Sequence, residues 1–304
     1  MTIEIGKIQT LTVLKATEIG VYLGENDPEK SVLLPKKQVP AGTKYGDRIE
    51  VFVYRDSEDR PIATVRRPAA TVGEFAYLSV KSVTRVGAFL DWGLEKDLFL
   101  PYKEQEQNVR SGNKVMVYLY LDKSKRISCT MKLYDYLSPA EQGEYRKEDA
   151  MEGVVYRYTP DFGAFTAVLP KGKTLSAGAS FDKLFFGLIP PSQVFRSFRP
   201  GDEIKGRVVR RRADGKLDLS ERKRDHEQID ADAETVIRKI EEYGGVLPFS
   251  ESAEPVLVRR ELSMSKSGFK RALGHLYKNH RIRIEENEVI LLPASDPKQS
   301  SGNH

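Results

Sequence analysis

The chain writes one pattern three times. Val86-Gly87-Ala88-Phe89-Leu90 and Phe162-Gly163-Ala164-Phe165-Thr166 are near copies, and Ile19-Gly20-Val21-Tyr22-Leu23 is a looser third. Each is followed by an apolar run ending in proline: Val32-Leu33-Leu34-Pro35, Leu98-Phe99-Leu100-Pro101 and Gly187-Leu188-Ile189-Pro190. A polar turn then opens a strand, at Tyr45-Gly46-Asp47-Arg48-Ile49, Ser111-Gly112-Asn113-Lys114-Val115 and Pro200-Gly201-Asp202-Glu203-Ile204. Three blocks in fixed order, three times over, mean one small β module used repeatedly.

Short apolar or alternating runs at 8–14, 20–24, 32–34, 48–54 and 62–65 read as five strands, and residues 73–132 and 153–223 repeat that order. Five antiparallel strands in a unit of roughly 60 to 70 residues favour a closed Greek-key barrel of the OB kind, with an SH3-like barrel as the structural rival. The expected fold class is therefore mostly β and multidomain, with barrels over 1–67, 68–135 and 153–224. Between the second and third, Ser138-Pro139-Ala140-Glu141 has the capping residue and first-turn proline of a helix start, which predicts a short, acidic, helical connector over 136–152. The third copy is longer between its glycine motif and Pro190, through Lys171-Gly172-Lys173 and Ser176-Ala177-Gly178-Ala179-Ser180, and an extended mobile loop is expected there.

After residue 224 the period changes. Residues 230–240 carry helix formers with early carboxylates and stop at Gly244-Gly245. A second helix is expected from Ser265 to His280, with Phe269, Leu273 and Leu276 on one face and Ser263 or Ser265 as its cap. Runs at 281–284 and 289–292 around Glu285-Glu286-Asn287-Glu288 predict a hairpin. Helices followed by a hairpin predict an α+β winged-helix domain over 225–293, with a disordered tail at 294–304.

Composition narrows the function classes. The chain of 304 residues has one cysteine, Cys129, so it can form no internal disulfide and offers no thiolate cluster; a reducing compartment is the simple reading. No segment approaches the roughly 20 apolar residues of a membrane helix, and the N-terminus has no secretory pattern, so a cytoplasmic location with no membrane contact is expected. His226, His275, His280 and His304 have no metal-like pairing, and no nucleophile elbow, phosphate loop, zinc motif or paired-carboxylate motif occurs. No catalytic residue, cofactor or metal is expected. Net charge is +5, but residues 153–224 hold 15 basic against 7 acidic side chains, +8, which is the footprint of a polyanion-binding surface or a solvated basic face.

Phe162 and Phe165 stand three apart, on opposite faces of a plain strand. A bulge at Gly163-Ala164 would bring both to one face, beside Arg207, Arg210, Arg212 and Lys216. Exposed aromatics with a cationic rim are the chemistry of sequence-tolerant single-strand binding. The alternative is that one or both rings fill the barrel core. Trp92 has two readings as well, an extension of the second module's stacking surface or packing at a domain junction.

All three repeats resemble the S1 family of RNA-binding domains, whose pattern runs Phe-Gly-Ala-Phe, Gly-Leu-Val-His, Gly-Asp and Asp-x-x-Gly-Arg. In that family the two Phe, the His and the Asp/Arg pair contact RNA. Carried over by position, the resemblance implies contacts from Phe162, Phe165 and Lys216 in module three, with Pro190 in place of His and Arg212 in place of Asp. In module two it implies Phe89, Asp122 and Arg126, with Val86 for the first aromatic and Pro101 for His. In module one it implies Tyr22, with Ile19 and Pro35 at the other places and Asp56 and Arg60 only after a one-residue shift. Module three keeps both aromatics and the charge excess, so it ranks first as RNA platform and module one as mainly structural. Arg212 for Asp exchanges an acceptor for a cation, favouring phosphate attraction over base readout.

The whole arrangement is similar to the bacterial conserved virulence factor B family, most specifically in Met264-Ser265-Lys266-Ser267-Gly268-Phe269-Lys270-Arg271-Ala272-Leu273-Gly274-His275-Leu276-Tyr277. The resemblance implies a non-catalytic regulator of gene expression that binds single-stranded RNA mainly through modules two and three. Lys266, Lys270, Arg271 and Lys278 of the second helix are candidate groove contacts, although residues 225–304 net −3. Two other readings remain: a scaffold docking to a ribosome, polymerase or nuclease, and a DNA-binding regulator acting through the winged helix.

Overall fold

The repeated glycine sets the closure of each barrel. A computed structural model describes residues 3–25, 30–194, 196–221 and 225–292, with side chains for all of these but 225–228. Barrel one is β1 (Ile8–Thr17), β2 (Gly20–Gly24), β3 (Val32–Pro35), β4 (Arg48–Arg55) and β5 (Pro61–Thr64). Barrel two is β6 (Phe75–Val83), β7 (Gly87–Asp91), β8 (Leu98–Pro101), β9 (Lys114–Leu121) and β10 (Ile127–Thr130). Barrel three is β11 (Ala150–Thr159), β12 (Gly163–Val168), β14 (Phe185–Ile189), β15 (Glu203–Arg211) and β16 (Leu217–Ser220), with β13 (Ser180–Phe181) lying outside it. All three close in one order, first strand to second, third, fifth and fourth, with the third and fifth strands parallel. That is the OB barrel, not its SH3-like rival.

A Cβ at Gly20, Gly87 or Gly163 would stand 2.1, 2.3 or 2.0 Å from the carbonyl oxygen of Leu34, Leu100 or Ile189 on the neighbouring strand. Only glycine lets these backbones approach so closely, and at Gly163 a φ of +95° adds the same demand. The proline that follows in each copy leads into a 3-10 turn, Lys36–Gln38, Tyr102–Glu104 or Pro191–Gln193. The last residue of each turn accepts a hydrogen bond from a buried hydroxyl at the end of the fifth strand: Gln38 from Thr64 at 2.5 Å, Glu104 from Thr130 at 2.9 Å, Gln193 from Ser220 at 2.9 Å.

The expected bulge exists, but on the adjacent strand. The register shifts in β11 between Val155 and Arg157, with equivalent shifts in β1 and β6, while β12 runs regularly from Gly163. Phe162 therefore sits in the turn before β12 and Phe165 on the strand. Neither fills the barrel core, which at this point holds Ala164.

Barrels one and two share an apolar junction in which Phe52 and Tyr54 pack with Trp92, the Phe52 and Trp92 rings meeting edge to face at 5.7 Å. Trp92 is buried, its indole N–H bonded to the Lys96 carbonyl, so it packs at the junction. Barrels two and three share a second seam, with Phe75, Tyr77, Met116 and Leu133 against Val154, Tyr156, Leu169 and Phe181.

Two expectations fail at this seam. The insertion of the third copy is not a free loop: β13 pairs with β6, Phe181 is buried, and the Tyr77 amide donates to the Ala179 carbonyl at 2.9 Å. Nor does the 136–152 connector form a helix. Its Ser138 and Ala140 amides donate to Leu184 and Gly215 on barrel three, and Tyr145 is buried with its hydroxyl on the Leu169 carbonyl. Tertiary backbone pairing satisfies the groups that a cap and first turn would have served.

Residues Met1–Glu221 and Arg222–His304 are two compact units. In the second, α1 (Asp225–Glu242), β17 (Val246–Leu247), α2 (Pro255–Leu262), α3 (Lys266–Lys278), β18 (Ile282–Ile284) and β19 (Val289–Leu291) enclose a core of Val236, Ile240, Phe269, Leu273 and Leu276. Ser265 caps α3, accepting from the Gly268 amide at 3.1 Å. The helix α2 has only two buried positions, Val258 and Leu262, and its one short turn of pattern gives no periodic signal in the sequence. The tail expected at 294–304 and the His226 side chain lie outside the described residues. No helix among the described residues is long and apolar enough to cross a membrane.

Candidate nucleic-acid interface

On the outer face of β7 and β8, Phe89 lies opposite Phe99, ring centroids 5.3 Å apart and tilted by 39°. Strand alternation explains the pair, because Leu98 and Leu100 point into the barrel and leave Phe99 outward. A groove of about 560 Å³ runs beside these rings, and it is lined from barrel two by Phe89, Phe99, Asp122 and Arg126 and from barrel one by Tyr54, Ser57 and Asp59. Three predicted residues of module two, Phe89, Asp122 and Arg126, are thus brought together. Asp122 shapes the hairpin, accepting from the Ser124 and Arg126 amides at 2.8 and 2.9 Å. The Arg126 guanidinium pairs with Asp59 across the module boundary.

In barrel one Tyr22 is half-buried on β2, opposite Leu33. Asp56 accepts from the Glu58 and Arg60 amides and binds the Arg60 side chain at 2.8 Å. Asp56 and Arg60 directly flank the β4–β5 hairpin as Asp122 and Arg126 flank β9–β10, so no one-residue shift is needed.

The first aromatic position is equally open in all three copies, with Phe162 65%, Val86 65% and Ile19 59% exposed. Phe165 is half-buried at the edge of the seam, 6.2 Å from Tyr156, with the Arg157 guanidinium 5.9 Å above its ring. Farther along the same face Phe186 meets Tyr134 edge to face at 5.2 Å, and Lys216 places its ammonium 5.4 Å from the first ring and 6.0 Å from the second. Sequence reasoning missed Phe99 and Phe186, which alternation in the strand before each proline marks as outward. It missed Tyr134 because that residue belongs to the segment leaving barrel two.

The basic excess of module three is mostly answered by acids. Arg210 and Arg212 both hold Asp218, at 2.7 and 2.5 Å, and the Asp218 side chain is only 9% exposed. Burial opposes ionisation of Asp218, but hydrogen bonds from Arg212 and Arg210, and their charges, outweigh it and hold its pKa below the usual carboxylate range. The acid absent at position 212 is supplied from 218, so Arg212 is not the free phosphate-attracting cation expected. Arg207 pairs with Glu148 at 2.7 Å, Lys171 with Asp149 at 2.7 Å, Lys183 with Glu144 at 3.2 Å and Lys205 with Glu152 at 3.1 Å, so the acidic connector and the start of β11 neutralise much of the barrel. Lys216 keeps only a loose contact, 3.8 Å from Asp214.

In the second unit α3 carries no acidic residue. Lys270, Arg271, Tyr277 and Lys278 are exposed and Lys266 is half-buried, with Lys270 3.4 Å from Glu251. His275 meets Asp230 at 3.2 Å. Among the described residues no group of three His, Cys, Asp or Glu side chains could hold a metal ion.

The S1 domain family matches residues 5–66 and 72–132, and the CvfB-like winged helix domain matches 234–291. A conserved virulence factor B of Staphylococcus epidermidis is 25% identical over 297 residues, covering 94% of each chain. The chain is thus similar over most of its length to conserved virulence factor B proteins, and two S1 domains and a CvfB-like winged helix domain match within it. Another relative is the uncharacterized protein YitL of Bacillus subtilis, 28% identical over 292 residues, covering 92% of this chain and 91% of that one. A solved structure from Streptococcus pneumoniae, described as a multidomain protein with nucleic acid binding domains, is 21% identical with a TM-score of 0.48, covering 95% of this chain and 98% of that one. The S1 and winged-helix domain types are nucleic-acid-binding types and are not known enzyme families.

Proposed function

We infer that the chain is a non-catalytic, cytoplasmic RNA-binding protein that regulates gene expression, holding single-stranded RNA on the outer faces of barrels two and three. One observation carries this reading: the same side of both barrels presents an aromatic pair beside a hairpin cation, Phe89 and Phe99 with Arg126, Phe186 and Tyr134 with Lys216. Aromatic platforms accept any base face, and each stacked base contributes about 1–3 kcal/mol. A cation at the platform edge attracts the backbone without reading sequence. Phe165 with Arg157 extends the surface of barrel three, and exposed Phe162 stands at its end. Lys270, Arg271 and Lys278 of α3, a helix with no acidic residue of its own, add electrostatic contacts. Fluorescence anisotropy with a labelled single-stranded RNA tests the reading. Binding that falls steeply with salt and is weakened about tenfold or more by Phe89→Ala with Phe99→Ala, or by Phe186→Ala with Tyr134→Ala, supports it; binding indifferent to both pairs removes it.

A further inference from the structure

The groove beside Phe89 and Phe99 is not made by barrel two alone. Tyr54, Ser57 and Asp59, on and before the β4–β5 turn of barrel one, form its opposite wall. That wall is fixed in place. Tyr54 is buried at the barrel junction, the Lys96 ammonium donates to the Arg55 and Asp56 carbonyls at 3.2 and 2.8 Å, and Arg55 donates to the Lys125 carbonyl at 3.2 Å. The groove, at about 560 Å³, falls within the ~300–1,000 Å³ of small-ligand sites, room for an unstacked base and its sugar but not for a duplex.

Its charges have a specific arrangement. Asp122 is committed to the turn amides, and Asp97 pairs with Lys81 at 2.7 Å. Asp59 is the acid whose partner is a groove cation, Arg126. One Asp59 carboxylate oxygen accepts from one Arg126 guanidinium nitrogen, a place that a phosphate oxygen can equally take. The two side chains are 38% and 56% exposed, so the pair is solvated and exchanges at little cost.

We propose that the groove is a composite nucleic-acid site whose second wall is the β4–β5 turn of barrel one, and that in the free protein Asp59 occupies the place at Arg126 that a backbone phosphate of a bound single strand takes. Barrel one is then part of the binding site and not only a scaffold. A strand enters by displacing the Asp59 carboxylate from Arg126 while a base stacks on Phe89 and Phe99. The inference rests on the RNA-binding reading above, and one titration separates the two.

The probe is a fluorescein-labelled ten-nucleotide oligouridylate, titrated by anisotropy against the full chain and the variants Asp59→Asn, Arg126→Ala, their double variant and Phe89→Ala with Phe99→Ala. Asp59 has a φ of +64°, which asparagine also adopts readily, so Asp59→Asn keeps the turn. Asp59→Asn is expected to bind about two- to fivefold tighter, the measure of an exposed ion pair released. Its plot of log affinity against log salt should be steeper by about one. The double variant should bind like Arg126→Ala. If Asp59→Asn binds no tighter, or tightens equally when Arg126 is absent, while the phenylalanine variant is weakened, the competitor role is wrong and RNA binding at this face stands. If the phenylalanine variant binds like the wild-type chain, the groove is not an RNA site and the reading for barrel two fails with it.

Discussion

Barrels two and three have the same strands in the same order, yet they dispose of their charge in opposite ways. Barrel two keeps an acid at the hairpin position, Asp122, spends it on turn amides, and sends Arg126 across a module boundary to Asp59. Barrel three has Arg212 at that position and returns the acid from within β16, where Asp218 holds two guanidinium groups. One cation is thus tied to a neighbouring module and can be exchanged; the other two are tied inside the barrel and cannot be lost cheaply. The difference shows that a formal excess of +8 over 153–224 says little about available charge. What the two faces share is the aromatic surface, and that is the feature to test first.

The largest effect is expected from the rings. Phe89→Ala with Phe99→Ala and Phe186→Ala with Tyr134→Ala should each weaken single-stranded RNA binding by about ten- to a hundredfold, from ~1–3 kcal/mol per stacked base. An effect confined to one pair would break the symmetry between the barrels and leave one working platform.

Next in size is the internal charge cluster. Asp218→Asn removes a nearly buried carboxylate from two arginines that are themselves 69% and 36% exposed in their side chains and so regain water, a loss of about 1–3 kcal/mol in urea denaturation of the Met1–Glu221 unit. The sign with pH follows from the depressed pKa. The Asp218 contribution is fully present above the ordinary carboxylate pKa and is lost as pH falls through the lower folded value. The stability gap between the wild-type chain and the variant should stay constant above about pH 5 and close below about pH 4. A gap that widened in acid would contradict the assignment.

Smaller still is Lys216→Ala, which should reduce the salt slope by about one and weaken binding alike for all sequences. Arg210→Ala should change the slope less, because its charge is already met by Asp218. The least effect is expected from Lys270→Ala with Arg271→Ala and Lys278→Ala on α3, a shallower slope with most of the affinity retained. If this triple variant instead abolishes binding, the barrels are not the main platform.

How far these features could be read from the sequence differs by kind. Repeated motifs fixed by backbone approach were fully legible: Gly163 cannot carry a Cβ against Ile189, so the pattern recurs and announces the barrel. Local caps were legible where nothing competed, as at Ser265, and misleading where tertiary pairing took over, as at Ser138. The insertion at 171–180 has loop composition, yet β13 finds the free edge of β6; an edge on another module leaves no trace in the segment's own residues. For the same reason Asp59 and Tyr134 escaped notice. Each serves a face belonging to the next module, and sequence comparison of one repeat with another cannot show what crosses between them. Asp218 was the exception that could have been found, a lone acid in the Leu217-Asp218-Leu219-Ser220 strand, where an unpaired charge would be costly to bury.

The most direct test of the account is photocrosslinking of a 4-thiouridine-containing single-stranded RNA to the full chain, with the modified residues mapped by mass spectrometry. Adducts should fall on the two aromatic faces, at Phe89 and Phe99 and at Tyr134, Phe165 and Phe186. Adducts confined to residues 225–292, or spread over the barrels without preference for those rings, would contradict it.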